Sequence, residues 1–330
     1  PSWRSRRPTR AAGTSKGFPP RPPGGPPLHL LEAALIFQTI ITGLSIGSIY
    51  ALMAVGYSLV FSVLNFSNFA HGAVITLGAY VAWAVMVNIF QLPFLPALLI
   101  SMLGAGIIAF LVERIAYSSL RHRRAPSLYF MISAMGMAIA LQNVLYATIG
   151  ANLYALPPVF AQDSIQLGTA VISKMDLFAF GFSILAIALL TFILNFTRVG
   201  TAIRAASHDA EMVSVLGVNL DMLVAVLFLL AGALGGMAGV FMGVKYMVYP
   251  SMGWITNKAY IGAVIGGLGS LPGAIVGGIL LGLVEALISV STIGGVPLST
   301  YRDVFSFGLL ALLLIVRPTG LFGRHVEEKL

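Results

Sequence analysis

The chain has 330 residues, of which 58% are hydrophobic and only 9% charged, against about 25% charged in a soluble globular domain. So few charges cannot cover a water-facing surface, which excludes an ordinary soluble domain. Six of the 19 basic residues behind the net charge of +8 precede the first acidic residue, Glu32, and no basic face is interleaved with aromatics, so a nucleic-acid groove is excluded as well. With no cysteine there is no disulfide framework, thiolate zinc site or cysteine nucleophile.

Residues 1–31 form a separate block rich in Pro and Arg, with eight prolines that prevent a stable helix, and are expected to be disordered. The apolar run that follows is too long for the h-region of a secretory signal, and no small-residue cleavage site ends it. Ser5-Arg6-Arg7 is only a weak match to a twin-arginine signal. Apolar blocks then run over roughly 34–64, 69–90, 92–117, 126–149, 177–195, 222–247, 256–268, 272–293 and 303–316, and several reach the ~20 residues a crossing requires. The expected fold is an all-α polytopic membrane protein with eight to ten transmembrane segments, broken helices and an inverted internal repeat. Residues 32–324 form its transmembrane domain, with a short C-terminal tail at 325–330 on the cytoplasmic side.

The positive-inside rule orients the blocks. Arg121, Arg123 and Arg124, the loop with Arg198 and Arg204, and the C-terminal Arg317, Arg324 and Lys329 all belong on the cytoplasmic side. This parity requires 150–176 to be an outer loop and 256–268 to cross, or nearly cross, between Tyr249-Pro250 and Ser270-Leu271-Pro272. Block 34–64 is too long for one plain crossing and too short for two, so a broken or hairpin arrangement near Gly43, Gly47 and Gly56 is expected.

Glycine falls inside the apolar blocks, with small-xxx-small spacing through Gly232, Gly236, Gly262, Gly266, Gly273 and Gly277. Small residues let helices approach closely in lipid, and a minority can border irregular backbone that lines a path. A weak echo relates 106–113 to 278–285, each eight-residue string starting in Gly and ending in Glu. By the orientation above these helices run in opposite directions, as in an inverted repeat.

Ionisable groups inside the blocks are few, and each costs at least about 2.5 kcal/mol at the bilayer centre. Glu113-Arg114 reads as an interfacial anchor near the basic loop. Lys245 and Lys258 lie near the outer boundary, where they can snorkel, and His71 lies near an inner end. Glu285 sits well inside its block, as a paired structural carboxylate or a functional one. Intramembrane catalysis finds no support: His-Glu-x-x-His and paired aspartates are both absent. No catalytic residue, metal site or cofactor is expected. A single mid-membrane carboxylate is thin support for an ion-coupled transporter or a channel, which stays as the alternative reading.

The loop 197–221 differs from the rest. Residues 205–216 fit a short helix with Ala205, Met212, Val213 and Leu216 on one side and His208, Asp209 and Glu211 on the other, and Gly217 is placed as a stop. On a positive-inside face this is either a docking element or a surface helix resting on the membrane.

At this loop the sequence resembles the permease subunits of ABC importers, whose cytoplasmic coupling helix carries an alanine pair and a following glycine. Further strings resemble the high-affinity branched-chain amino acid permease family. They are 43–61 with Asn68-Phe69-Ala70-His71-Gly72, Leu77-Gly78-Ala79-Tyr80, Glu113-Arg114-Ile115-Ala116-Tyr117, and Ile132-Ser133-Ala134-Met135-Gly136 with Leu141-Gln142-Asn143. The segment 262–278 and the ending Arg317-Pro318-Thr319-Gly320-Leu321-Phe322-Gly323-Arg324 complete the match, which covers about residue 36 to the C-terminus. The tail 1–31 departs from the family.

The resemblance implies a multi-pass protein of the bacterial plasma membrane working by alternating access. Its implied partners are cytoplasmic ATPase subunits, a second related permease chain and an external substrate-binding protein. The small-molecule cargo is a branched-chain amino acid, or a related solute such as urea or an amide. It assigns ATPase coupling to Arg204, Ala205, Ala206, His208, Asp209, Glu211 and Gly217. The translocation path is expected along Asn65, Asn68, His71, Gly72, Gly266, Gly267 and Glu285. No Gly-x-x-x-x-Gly-Lys-[Ser/Thr] loop occurs, as expected if a partner binds ATP.

Overall fold

The computed structural model describes residues 28–157, 159–160, 164–167, 170–293 and 295–323, so the expectations for most of the 1–31 tail and for 325–330 lie outside the described residues. Among the described residues, eight helices are long and apolar enough to cross a membrane. The first, α1 (Leu28–Leu64), is followed by α2 (His71–Trp83), α3 (Phe94–Val112), α4 (Ser118–His122) and α5 (Ser127–Thr148). A hairpin of β1 (Ser164–Leu167) and β2 (Ala170–Ser173), paired antiparallel, leads into α6 (Lys174–Phe196). Two short helices, α7 (Arg198–Ala206) and α8 (Ala210–Val215), precede α9 (Leu220–Tyr246), α10 (Asn257–Gly266), α11 (Leu271–Val290) and α12 (Arg302–Val316). Five-residue π turns extend α2 over Ala84–Asn88 and join α3 to α4 over Glu113–Tyr117.

Block 34–64 is one helix, not the expected hairpin. At 37 residues and 1.5 Å per residue it is about 55 Å long, so it tilts or projects beyond a ~30 Å hydrocarbon core. Its glycines mark close approach rather than a break. A Cβ on Gly47 would lie 2.8 Å from Ile279 Cα, and one on Gly43 would lie 3.0 Å from the Ala286 Cβ. On the facing helix, a Cβ on Gly282 would collide with Gly47 Cα, so α1 and α11 meet backbone to backbone. The modest propensity cost of each glycine, about 1 kcal/mol, is outweighed by this packing.

The pairings 43 with 286 and 51 with 278 make α1 and α11 antiparallel. The C-terminal end of α1 meets the α10–α11 turn, where Gly269 approaches Phe61 and Ser62. At the same end Leu321 and Phe322 donate backbone hydrogen bonds to Ile265 and Gly266, and Arg121 reaches Asp221. Among the described residues, Arg121, Arg123 and Arg124, the loop with Arg198 and Arg204, and the chain after Arg317 thus share one face, as the charge rule required. On the opposite face Ser45 donates to Asp176 at 3.1 Å, Tyr154 and Val248 form an isolated bridge, and Phe94 packs edge-on to Phe178. α1 therefore starts on the face opposite the basic clusters.

The crossing expected over 256–268 is divided. A 3-10 turn, Pro250–Thr256, of seven residues precedes the ten residues of α10. At 2.0 and 1.5 Å per residue the two together cover about 29 Å, one hydrocarbon thickness. Ser270 caps the return helix by accepting from Gly273 N at 3.2 Å, with Pro272 in its first turn. α1, α2, α9 and α10 hold the buried core, whereas α5 and α12 are peripheral and show most of their surface. The 106–113 and 278–285 strings lie on antiparallel-running α3 and α11. Their terminal carboxylates, Glu113 and Glu285, are both buried and both ion-paired.

Candidate functional site

The loop between α6 and α9 is built by successive caps. Thr197, in extended backbone, accepts from Gly200 N at 3.1 Å and starts α7. Ile203 and Ala206 are buried, and a Cβ on Gly200 would strike the backbone of Ile193 and Leu194, which seats α7 on the end of α6. The single helix expected over 205–216 is instead two. Ser207 Oγ bonds back to Arg204 O at 2.7 Å, and Asp209 turns extended and caps α8 by accepting from Met212 N at 2.9 Å. A residue that satisfies free N–H groups at a new helix start cannot continue the old helix. Gly217, at φ +87°, ends α8, with Val218 N bonding to Val213 O at 3.3 Å, a geometry glycine adopts without strain. Asn219 then caps α9 through Met222 N at 3.1 Å.

Within this loop Arg204, Ala205, His208, Asp209 and Gly217 are exposed, whereas Ala206 faces the body at 3% exposure. Glu211 lies on α8 with its side chain outside the described residues. The apolar side expected over Ala205, Met212, Val213 and Leu216 divides. Val213 is buried, but Met212, Val215 and Leu216 are 57, 79 and 76% exposed. Three apolar side chains displayed on a loop at the basic face form a patch that the sequence reading did not isolate. The broken helix, signalled by Asp209 three residues before Met212, turns them outward.

Asn65, Asn68, His71 and Gly72 occupy the junction of α1 and α2. Asn65 ends α1 at φ +51°, in the left-handed region that Asn tolerates. Asn68 is buried, and its Oδ1 accepts from Tyr117 Oη at 2.7 Å and Ala70 N at 3.2 Å. His71 starts α2 wedged between Gly56 and Gly235. Its Nε2 has no hydrogen-bond partner among the described residues. The ring of Tyr57 stands 6.4 Å from His71 and 5.6 Å from Tyr260, which is 6.2 Å from the half-exposed Phe69.

Gly266 and Gly267 lie elsewhere, in the α10–α11 turn. They bring backbone onto Gly273 and Gly323, and Gly267 has φ +106°.

Glu285 is 2% exposed and is the centre of a buried network. Lys258 Nζ lies 2.6 Å from Oε1, Ser306 Oγ donates to the same oxygen at 2.9 Å, and Tyr50 Oη donates to Oε2 at 2.8 Å. Lys258, partly buried, is thus the counter-ion of a buried carboxylate rather than a snorkelling side chain, with Asp303 a second partner at 3.3 Å. Lys245 likewise pairs with Asp176. The expectation of an interfacial anchor at Glu113 is also corrected. Its side chain is fully buried and receives Arg121 Nη1 at 2.7 Å, on the α3 face that also buries Ser101, Ala105 and Ala109 at four-residue spacing. Sequence reasoning named the carboxylates but not these partners, which lie on other helices.

The proposed site residues therefore form four separate groups: the basic-face loop, the α1–α2 junction, the α10–α11 turn with Gly266 and Gly267, and the Glu285 network toward the opposite face. Among the described residues no three His, Asp or Glu side chains converge as a metal-ligand set. A cleft of about 320 Å³ opens between α1 and the β1–β2 hairpin, lined by Gln38, Thr42, Ser164, Ser173 and Asp176.

The model of the branched-chain amino acid transport system permease component family matches residues 39–315. Among curated proteins, the chain is similar to the high-affinity branched-chain amino acid transport system permease protein LivH of Salmonella typhimurium (strain LT2), at 38% identity over 88% of this chain and 97% of that protein. LivH of Escherichia coli K12 is 37% identical and BraD of Pseudomonas aeruginosa PAO1 is 36% identical, with the same coverage of both chains. Among solved structures, an inward-facing metal-chelate type ABC transporter matches at 16% identity with a TM-score of 0.47, over 88% of this chain and 91% of that one. This chain, a multi-pass membrane protein, belongs to the branched-chain amino acid transport system permease family.

Proposed function

We propose that the chain is the membrane-spanning permease subunit of an ATP-driven importer in the bacterial plasma membrane. It moves branched-chain amino acids, or a related small polar solute such as urea or an amide, by alternating access. ATP is hydrolysed by separate cytoplasmic subunits, since the sequence has no phosphate-binding Gly-x-x-x-x-Gly-Lys-[Ser/Thr] loop. A second permease chain completes the path, and a binding protein delivers cargo to the face opposite the basic clusters. Residues 197–221 form the coupling loop, and the α1–α2 junction with Asn65, Asn68, His71 and Gly72 borders the path.

The observation that carries this reading is the capped two-helix loop on the basic face, with Met212, Val215 and Leu216 displayed to solvent. An amphipathic helix that shows its apolar side chains is the recognition element of a helix-in-groove contact. The test is co-purification of the detergent-solubilised chain with an ATPase subunit expressed from neighbouring genes. Wild type should retain the ATPase, and Val215→Asp with Leu216→Asp should release it while the permease stays monodisperse. Retention by both would move the docking surface elsewhere. Absence of any ATPase from a well-folded wild type would favour a stand-alone channel or an ion-coupled transporter.

A further inference from the structure

We propose that Arg121 and Glu113 are positioning residues that transmit movement of the 197–219 loop to the α1–α2 junction, an inference resting on the importer reading above. The loop ends at Asn219, and Asp221 sits in the first turn of α9 immediately beyond it. Arg121 forks onto Asp221 Oδ1, through Nε at 3.1 Å and Nη2 at 2.6 Å, and reaches Glu113 Oε1 with Nη1 at 2.7 Å. His122 Nε2 stands 3.2 Å from the other Asp221 oxygen, and Arg114 Nε stands 3.5 Å from Glu113 Oε2. The planar guanidinium fixes both carboxylates at once, which an ammonium cannot do.

Glu113 opens the π turn and Tyr117 closes it, with Ser118 N bonding back to Glu113 O. Tyr117 is fully buried. Its hydroxyl donates to Asn68 Oδ1 at 2.7 Å, and its ring packs against Phe66 at 5.1 Å and Phe228 at 5.5 Å. Asn68 in turn accepts through its carbonyl from His71 N at 3.2 Å. Named contacts thus run without a gap from the first turn of α9, through an ion triad of which only Glu113 is fully buried and a π turn, to the start of α2.

Two features point to transmission rather than bracing alone. A buried ion pair is weak evidence of stabilisation, because desolvation offsets its attraction and a well-packed apolar pair serves as well. A π turn is an irregular interruption of an α-helix that is frequent at functional sites. A displacement of the α9 N-terminus by the ~1–2 Å usual for helix shifts would drag Arg121 and so pull on Glu113 and the turn.

The test uses the complete complex in proteoliposomes: both permease chains, the ATPase subunits, and the binding protein loaded with radiolabelled leucine. Uptake and phosphate release are measured on the same vesicles. Leucine moved per ATP should fall about 10-fold in Arg121→Gln and in Asp221→Ala, within the 5–150-fold usual for coupling between sites, while ATPase subunits stay bound and hydrolysis continues. Arg121→Lys should fall between these and wild type, and Arg123→Gln, an exposed neighbour outside the network, should match wild type. An unchanged ratio in both variants would overturn the inference, as would uptake and hydrolysis falling together with loss of bound ATPase. If Arg121→Gln does not accumulate, Asp221→Ala, whose carboxylate is 38% exposed, decides by the same ratio. A wild-type complex that hydrolyses ATP without moving leucine, or that does not assemble, would overturn the importer reading instead.

Discussion

Replacing Lys258 by methionine removes the counter-ion of Glu285 but leaves the carboxylate 2% exposed among four helices. At the observed 2.6 Å and an effective dielectric of about 20, the lost attraction is about 6 kcal/mol before desolvation is counted. Relief from desolving the ammonium returns part of this, leaving the ~3–5 kcal/mol typical of a buried pair broken on one side. Tyr50 and Ser306 still donate to the carboxylate, at 2.8 and 2.9 Å, but neither supplies positive charge. Glu285→Gln should cost less, about 1–3 kcal/mol, because Lys258 keeps Asp303 at 3.3 Å. The double variant Lys258→Met with Glu285→Leu should recover most of the loss, since no charge stays buried. In detergent, with about 2 °C of midpoint per kcal/mol for a chain of this size, Lys258→Met should unfold some 6–10 °C below wild type. Intrinsic fluorescence or scattering during a thermal ramp measures each step. The reasoning is refuted if Lys258→Met unfolds no earlier than Glu285→Gln, or if the double variant is the least stable of the three.

Gly282→Ala should destabilise by about 1–3 kcal/mol or prevent accumulation, because its Cβ would enter Gly47 Cα, whereas Gly308→Ala, with open space around it, should be neutral; size-exclusion profiles of the two distinguish them. Gly217→Ala should cost about 1–2 kcal/mol from its φ of +87° with no steric conflict, and should show as weaker retention of the ATPase at unchanged expression. Asp209→Ala removes the cap of α8 and should cost about 1 kcal/mol locally, read as faster limited proteolysis within 207–217. Tyr117→Phe deletes the hydroxyl donated to Asn68 at 2.7 Å and should lower the unfolding midpoint by only a few degrees, for a loss of about 1 kcal/mol.

The spans were legible because hydropathy reports the solvent, and lipid imposes it on long stretches. The basic loops fixed which ends lie together for the same reason. What resisted reading was whatever depends on a partner distant in sequence. Gly43, Gly47 and Gly56 look like breaks until α11 and α9 are laid against them. Lys258 and Glu285 are 27 positions apart in the sequence, and nothing local says that α10 and α11 fold back to join them. Glu113 beside a basic loop reads as interfacial, and only its partner Arg121 and the packing of α3 against α9 show it buried. In the 197–221 loop, by contrast, the local sequence contained the signal. Asp209 before Ala210 is a helix start, and it separates buried Ala206 from exposed Val215 and Leu216. Read as one helix, the same residues put Ala205, Met212, Val213 and Leu216 on a single side.

Uptake of labelled leucine into proteoliposomes, with and without the ATPase subunits and ATP, tests the central claim most directly. The account predicts accumulation only when both permease chains, the ATPase subunits, ATP and the loaded binding protein are all present. Leucine entry through this chain alone, down its gradient or driven by an ion gradient without any ATPase, would contradict it.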